Sequence, residues 1–181
     1  MKKYFGLLFV LVIAISLVAV TGCNAKVTVK GGIADFKNPK SIKYKTDKGT
    51  MKLTYDDDGT YEVVENDPYV TLKNKDGNFR IDMDYSSNTI KQQEQSKNNF
   101  KKDKNYTIID DLEYNGYKGY AMIQNEYGTA NIYLTLDEKN EVISNIKVSA
   151  VTTEEIKGKP EDAYFNNKKV QKTLKTLEYK K

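Results

Sequence analysis

Apolar and polar residues alternate along most of the chain beyond residue 50, and this period of two constrains the fold more than any other feature. The clearest run is Phe79 to Tyr85, in which every second side chain is apolar. Successive side chains of a strand point to opposite faces of a sheet, so this run predicts a strand with one buried and one wet face. We therefore expect the chain to be built mainly from antiparallel sheet.

Turn residues divide the alternating segments into individual strands. The second half of the chain predicts a four-stranded meander, at 106–114, 117–124, 128–136 and 142–152. Its first turn, Asn115-Gly116, suits a type I′ turn, because both central residues must reach positive φ. Residues 38–50 are interpreted as a polar lead-in, and two hairpins are predicted after them: 51–55 with 60–64, and 69–73 with 79–85.

Two segments predict helices. Residues 89–103 contain no Pro or Gly and follow the capping residues 86–88. A final helix is predicted to begin at Pro160, and Val170, Leu174 and Leu177 give it one apolar stripe. Together these elements predict the α+β class, an antiparallel β-sheet with helices packed on it.

Two stretches of the chain resemble a known family: Tyr114 to Tyr120, YNGYKGY, and the segment from Val170 to Tyr179. The first is similar to the strand entry and the second to the closing helix of the PsbP-like family, which includes an extrinsic photosystem II subunit and many bacterial lipoproteins. As topology the resemblance covers roughly residues 35–179. It implies an α/β/α sandwich used for binding, with no shared reaction. The histidines of photosynthetic members do not carry over, since the chain has no His.

The first 23 residues resemble a bacterial lipoprotein signal. A basic start precedes the apolar run Phe5 to Val20, and Val20-Thr21-Gly22-Cys23 resembles a lipobox around the only cysteine. The resemblance implies a signal peptide at 1–22, cleavage between Gly22 and Cys23, and attachment of acyl chains such as palmitate to Cys23. Alternatives are a membrane-spanning helix, an uncleaved signal anchor and secretion without lipid.

This signal sets the expected domain organisation and location. Residues 23–34 are a lipidated N-terminus and tether, although residues 27–29 could instead form an edge strand, and 35–181 form a single domain. The expected location is the extracytoplasmic face of the cell membrane, held by the lipid anchor. The Lys- and Asn-rich, Trp-free composition favours a Gram-positive source.

Charge and residue types narrow the function. The signal takes two of the 29 basic residues, which leaves 27 against 25 acidic ones, and Arg80 is the only arginine, so nucleic-acid binding is not expected. Without His or a nucleophile motif we expect no catalysis, cofactor or metal. The alternative is an envelope enzyme, because paired carboxylates can act as acid and base. The candidates are Asp82, Asp84 and the acidic cluster at 110–113. Asp56 and Asp58 match part of a calcium loop, but a solvated turn is the better interpretation.

Fourteen tyrosines are the most unusual compositional feature. Because tyrosine combines a flat apolar ring with a polar tip, five of them are a candidate binding surface: Tyr114, Tyr117, Tyr120, Tyr127 and Tyr133. The alternative is that tyrosine is simply a good strand former. The Lys-rich segment 157–181 could face anionic lipids or polymers, or only solvent. The sequence thus predicts a non-catalytic binding or assembly role with an envelope protein or polymer, or else an accessory or inhibitory subunit of a membrane complex.

Overall fold

A computed structural model of the protein describes residues 28–29, 35–66, 69–152 and 160–181. The predicted signal peptide, Cys23, and all of the predicted tether except Thr28–Val29 lie outside these residues. Its elements are β1 (Thr28–Val29), β2 (Pro39–Thr46), β3 (Gly49–Asp56), β4 (Tyr61–Asn66), β5 (Tyr69–Asn74), β6 (Phe79–Tyr85), α1 (Ile90–Phe100), β7 (Tyr106–Tyr114), β8 (Tyr117–Gln124), β9 (Thr129–Asp137), β10 (Val142–Ala150), α2 (Lys168–Leu174) and β11 (Glu178–Lys180). None of the described helices is long and apolar enough to cross a membrane.

The strands form two sheets of unequal size. In the large sheet seven antiparallel strands follow the order β7-β8-β9-β10-β6-β5-β4, and β1 adds a short parallel edge beside β7. The small sheet is antiparallel, with the order β11-β3-β2. This mostly β arrangement with two helices fits the predicted α+β class. The four strands of the predicted meander are confirmed to within two residues at each end.

One hydrophobic core joins the two sheets and α2. Alternate residues of β6 are buried, as the period-two pattern predicts. The three residues of the predicted helical stripe are all fully buried, but only Val170 and Leu174 belong to α2, and Leu177 lies three residues after the helix ends. The core members with no exposed surface are Met51, Leu53, Leu72, Phe79, Ile81, Met83, Ala121, Ala130, Ile132, Leu134, Ile146, Val148, Val170, Leu174 and Leu177.

The predicted hairpin of 51–55 with 60–64 is wrong, because β3 and β4 belong to different sheets. The partner of β3 is β2, within the segment interpreted as a polar lead-in. Only Ile42 of β2 is buried and four of its eight positions carry lysine or proline, so an edge strand of this kind shows little alternation. The acidic turn after β3 therefore carries the chain from one sheet to the other.

The two helices differ from their predictions in detail. Thr89 caps α1 through a capping box with Gln92, so the helix begins at residue 90. The prediction that the last helix starts at Pro160 is wrong, because Pro160–Asp162 is a separate 3₁₀ turn. Extended backbone at Asn167 interrupts the segment, and the Asn167 side chain then accepts from the Lys169 N–H to cap α2.

Candidate functional site

The face of the large sheet that points away from the core, here called the outer face, is only partly covered. Helix α1 lies over β7 and β8. There the side-chain amide oxygen of Gln93 accepts a hydrogen bond from the Tyr120 hydroxyl at 2.7 Å. Among the described residues, no other helix packs on the rest of the outer face. It contains a groove of about 240 Å³, here called the outer groove, lined by Tyr69, Arg80, Asp82, Asp84, Asn131, Asn145 and Lys147.

Strand register brings the groove residues together. Asp84 of β6 pairs directly with Asn145 of β10, and Asp82 pairs with Lys147. On its other side Lys147 pairs with Asn131 of β9. Since directly opposed residues of antiparallel strands point to the same face, these side chains converge although they are up to 65 positions apart in sequence.

The charges of the outer groove are balanced and largely held in place. Arg80 donates from Nε and Nη2 to the Asp82 carboxylate at 2.6–3.1 Å, and the Thr71 hydroxyl donates to it at 2.6 Å. The Tyr44 hydroxyl donates to Asp84 at 3.0 Å. With Lys147, the groove carries two cations and two carboxylates, so it presents no strong net charge to a ligand.

Two groups of the outer groove have hydrogen-bonding or stacking capacity that the described residues do not use. The side-chain Oδ1 of Asn145 is buried and has no hydrogen-bond partner among them. Tyr69 is 45% exposed, although few large apolar or aromatic residues of the described part of the chain are exposed. A buried acceptor without a donor costs about 1–3 kcal/mol, which a ligand hydroxyl or amide would remove.

The five tyrosines predicted as a binding surface do not share a surface. Tyr114 and Tyr117 lie on the core side, and the Tyr114 hydroxyl donates to Gln171 at 2.8 Å. Tyr120 and Tyr133 lie on the outer face with ring centroids 5.2 Å apart, and burial raises the pKa of both. Tyr127 lies in the turn between β8 and β9 and is 38% exposed. Most of these rings therefore pack within the protein.

The second carboxylate cluster, 110–113, borders a cleft of about 440 Å³ between α1 and strands β7 to β9. Asp110 makes ion pairs with Lys101 at 2.5 Å and Lys97 at 3.7 Å. Asp111 is exposed at a bulge in β7, where its φ is +52°. Within the described ranges no three acidic or cysteine side chains lie close enough to hold a metal ion.

The carboxylates of the calcium-loop pattern bind lysines instead of converging on one another. Asp58 pairs with Lys169 at 2.7 Å and Asp56 with Lys172 at 3.1 Å. The flanking elements are strands, whereas an EF-hand requires helices. Both lysines come from the Lys-rich final segment, so these two cations bind protein carboxylates.

We expect Lys169→Met to raise the pKa of the Asp58 carboxyl. Hydrogen bonds from Lys169 and then Thr60 hold that pKa well below its usual range. Because the folded pKa is below the unfolded one, this pairing stabilises the fold above about pH 4 and is lost as the pH falls through the folded pKa. Carboxyl NMR titration should show the Asp58 midpoint moving toward about 3.9. Lys102→Met, which alters an unrelated exposed lysine, should leave it unchanged, and equal shifts in both variants would contradict the pairing.

The outer groove differs from the charged cleft beside α1 in having an exposed aromatic ring next to amide side chains. Sequence reasoning identifies Asp82 and Asp84 but misses Tyr69, Asn131 and Asn145. No protein-family model, curated protein or solved structure matches the chain.

Proposed function

We propose that the protein is a lipoprotein, anchored through Cys23 at the extracytoplasmic face of a bacterial cell membrane. We further propose that it binds a neutral, hydroxyl-rich envelope polymer, a glycan chain, in the outer groove without catalysing a reaction. The lipobox-like sequence supports the anchor. The composition and charge of the outer groove support the ligand.

The observation that carries this proposal is the unpartnered Asn145 Oδ1 in the same groove as the exposed Tyr69 ring. A sugar offers hydroxyl donors for such an acceptor and a flat C–H face for an aromatic ring. Asn131 adds a further amide with both donor and acceptor capacity. The groove thus combines stacking with several hydrogen-bonding groups in one place.

The charge balance favours a neutral ligand. Arg80 already donates to Asp82, and Lys147 stands opposite the same carboxylate across the strand pair. A polyanion such as a nucleic acid would need an excess of free cations, which this groove lacks. Because the groove lies on the open part of a sheet, we expect it to take a segment of an extended polymer.

The PsbP-like α/β/α arrangement is part of the proposal. It is supported by α1, which covers the outer face at β8, and by α2, which packs on β3 at the opposite side of the core. In that arrangement the large sheet is the middle layer, and the outer groove is the part of it that α1 leaves open.

Photo-crosslinking in cells tests the groove. A benzophenone side chain in place of Tyr69 should form adducts with glycan, because its ring would lie against the bound polymer. The matched control is the same replacement at Tyr127, a tyrosine of similar exposure on the turn between β8 and β9 that is not among the residues lining the groove. Mass spectrometry after glycan digestion would identify the adducts.

Three outcomes bear on the proposal. Glycan adducts from position 69 that greatly exceed those from position 127 support it. Equal yields at the two positions contradict it, because they would reflect random contact. A discrete protein adduct at position 69 also contradicts it and favours the accessory-subunit alternative.

A further inference from the structure

Strand β4 is an open edge of the large sheet. It pairs with β5 along all six of its residues and, among the described residues, with no strand on its other side. Its register has no bulge, and it contains no lysine or proline. An edge without the features that usually block pairing is a template for another strand.

The other edges of the two described sheets are less suited to pairing. Strand β2 carries three lysines and a proline, and strands β1 and β11 have only two and three residues. Strand β7, which β1 covers at its last two residues, is interrupted by a bulge between Ile109 and Leu112. Among the described strands, β4 is therefore the edge that is best able to accept a partner.

The backbone hydrogen bonds show which groups of β4 face the open edge. The Thr60 carbonyl accepts from the Lys75 N–H at 3.2 Å, one step before the pair of Tyr61 with Asn74. Opposed residues of antiparallel strands alternate between pairs that exchange hydrogen bonds and pairs that do not. Every second residue after Thr60 therefore bonds to β5, and the residues between them turn their N–H and C=O groups outward. These outward-facing residues are Tyr61, Val63 and Glu65.

Val63 lies in the middle of this edge and has apolar surface that the described residues do not cover. It pairs with the buried Leu72, so its side chain is on the core side of the sheet, yet the residue is 41% exposed. It is the one exposed large aliphatic residue of the described part of the chain. A strand added beside β4 would cover it.

We propose that β4 pairs antiparallel with β4 of a second copy of this chain, with Val63 opposite Val63 on a two-fold axis perpendicular to the sheet. The three outward-facing residues of each copy then form six backbone hydrogen bonds between the copies. This inference does not depend on the proposed function. It adds a partner and a surface that is separate from the outer groove.

Charge and shape favour this partner and this register. A two-fold axis perpendicular to the sheet keeps the core faces of both copies on one side, so only residues of the same face can be opposed. Glu65 then lies opposite Tyr61, and Glu62 lies opposite Val64. The Glu62 carboxylate is also balanced by Lys75 of its own copy at 3.1 Å. No two carboxylates are directly opposed, and the exposed valine meets an identical apolar side chain.

The rival two-fold register is centred on Val64. It would place the apolar side chain of Val63 against the carboxylate of Glu65, and it would form four backbone hydrogen bonds within β4 instead of six. The register centred on Val63 is therefore the better match.

The junction is small, so we expect a weak and closed dimer. Six strand residues span about 20 Å, and an interface built on one strand pair is smaller than that of most stable complexes. Because the pairing uses the β4 edge of both copies, that edge is no longer available to a third copy. Both outer grooves then lie on the same face of the joined sheet.

Cysteine crosslinking tests the partner and the register together. The full chain is kept in detergent and carries Cys23→Ser, which removes its only cysteine. Val63→Cys in this background should form a disulfide dimer under mild oxidation, because opposed Cα atoms of a bonded pair lie about 5.5 Å apart. Val64→Cys alone should not form one, whereas an equimolar mixture of Glu62→Cys and Val64→Cys should form the mixed dimer.

We expect the yield of Val63→Cys dimer to exceed that of Val64→Cys dimer by about tenfold or more, because a disulfide requires close Cα atoms. Equal yields would overturn the pairing, since they would reflect random collision. A greater yield from Val64→Cys would overturn the register. Absence of the Val63→Cys dimer in concentrated solution would also overturn the proposal.

Val63→Pro tests the backbone hydrogen bonds at the centre of the junction. Proline removes the N–H that faces the second copy and leaves the bonds to β5 in place. Sedimentation equilibrium in the same Cys23→Ser background should show a dissociation constant raised about tenfold or more, because each dimer loses two donors. Circular dichroism should stay unchanged.

The matched control is Val63→Thr, which keeps the backbone N–H and a β-branched side chain. It should weaken association much less than Val63→Pro, and equal effects of the two variants would contradict the proposed hydrogen bonds. The crosslinks decide the pairing whether or not the proline variant folds.

Discussion

Gly119→Ala should lower the free energy of unfolding by about 3 kcal/mol or more, or prevent folding. A Cβ at this position would lie 1.8 Å from the backbone oxygen of Tyr133 and 2.9 Å from Cα of Leu134. Both atoms belong to the backbone of the neighbouring strand β9, so no side-chain rotation can make room. The strand pair would have to separate, and the adjacent core positions would be disturbed. Urea denaturation followed by circular dichroism measures the effect.

Gly59→Ala is the matched control. Gly59 has a φ of +86°, and no atom lies within 4 Å of the place that a Cβ would occupy, so only backbone strain of about 1–2 kcal/mol is expected. A loss at Gly119 no larger than the loss at Gly59 would mean that β8 and β9 do not approach as closely as described.

Thr176→Val should cost about 2–4 kcal/mol although the side chains have nearly the same shape. The Thr176 hydroxyl accepts from the Thr54 N–H at 2.7 Å and lies 3.0 Å from the Thr54 carbonyl oxygen. Strand β11 pairs with β3 only as far as Lys52, so Thr54 lies beyond the ladder. Valine would leave the buried Thr54 N–H without an acceptor. Thermal and urea unfolding would both report this loss.

Thr173→Val is the control for the effect of removing a buried hydroxyl. Thr173 is 2% exposed, and its hydroxyl donates at 2.9 Å to the Lys169 carbonyl, which also accepts the helical N–H of Thr173. No polar group is then left without a partner, and the cost should be below about 1 kcal/mol. Similar losses for the two variants would show that Thr176 does not have a special role in joining α2 to β3.

The meander could be predicted from the sequence because its strands alternate strongly and its turns are short. The small sheet could not be predicted in this way. Strand β2 buries little, and its partner β3 also pairs with β11, which lies more than 120 residues further along the chain. Local patterns favour pairing of neighbouring segments, so the sequence alone predicts a hairpin at the turn after β3. The competing pairs of β3 arise from tertiary packing that a local pattern does not contain.

The outer groove shows a similar limit. Asp82 and Asp84 are at alternate positions of β6 and point away from the core, so the sequence pattern identifies them as candidate site residues. Asn145 has no distinguishing neighbour in the sequence, and only the register of β10 against β6 places it beside Asp84. The alternation of side chains along a strand shows that two of the tyrosines cannot share a surface. Tyr117 and Tyr120 are three residues apart in one strand, so they must point to opposite faces of the sheet.

The closing strand β11 has a consequence for the time at which the domain becomes stable. Lys52 of β3 bonds to Glu178 of β11, 126 positions later. In a chain that is exported N-terminus first, as proposed, one edge of β3 stays unpaired until residues 178–180 have crossed the membrane. An open edge of this kind is a site for aggregation, and closing so long a loop is slow. The period between anchoring of the N-terminus and arrival of the C-terminal strand is thus when envelope chaperones and proteases would have access to the domain.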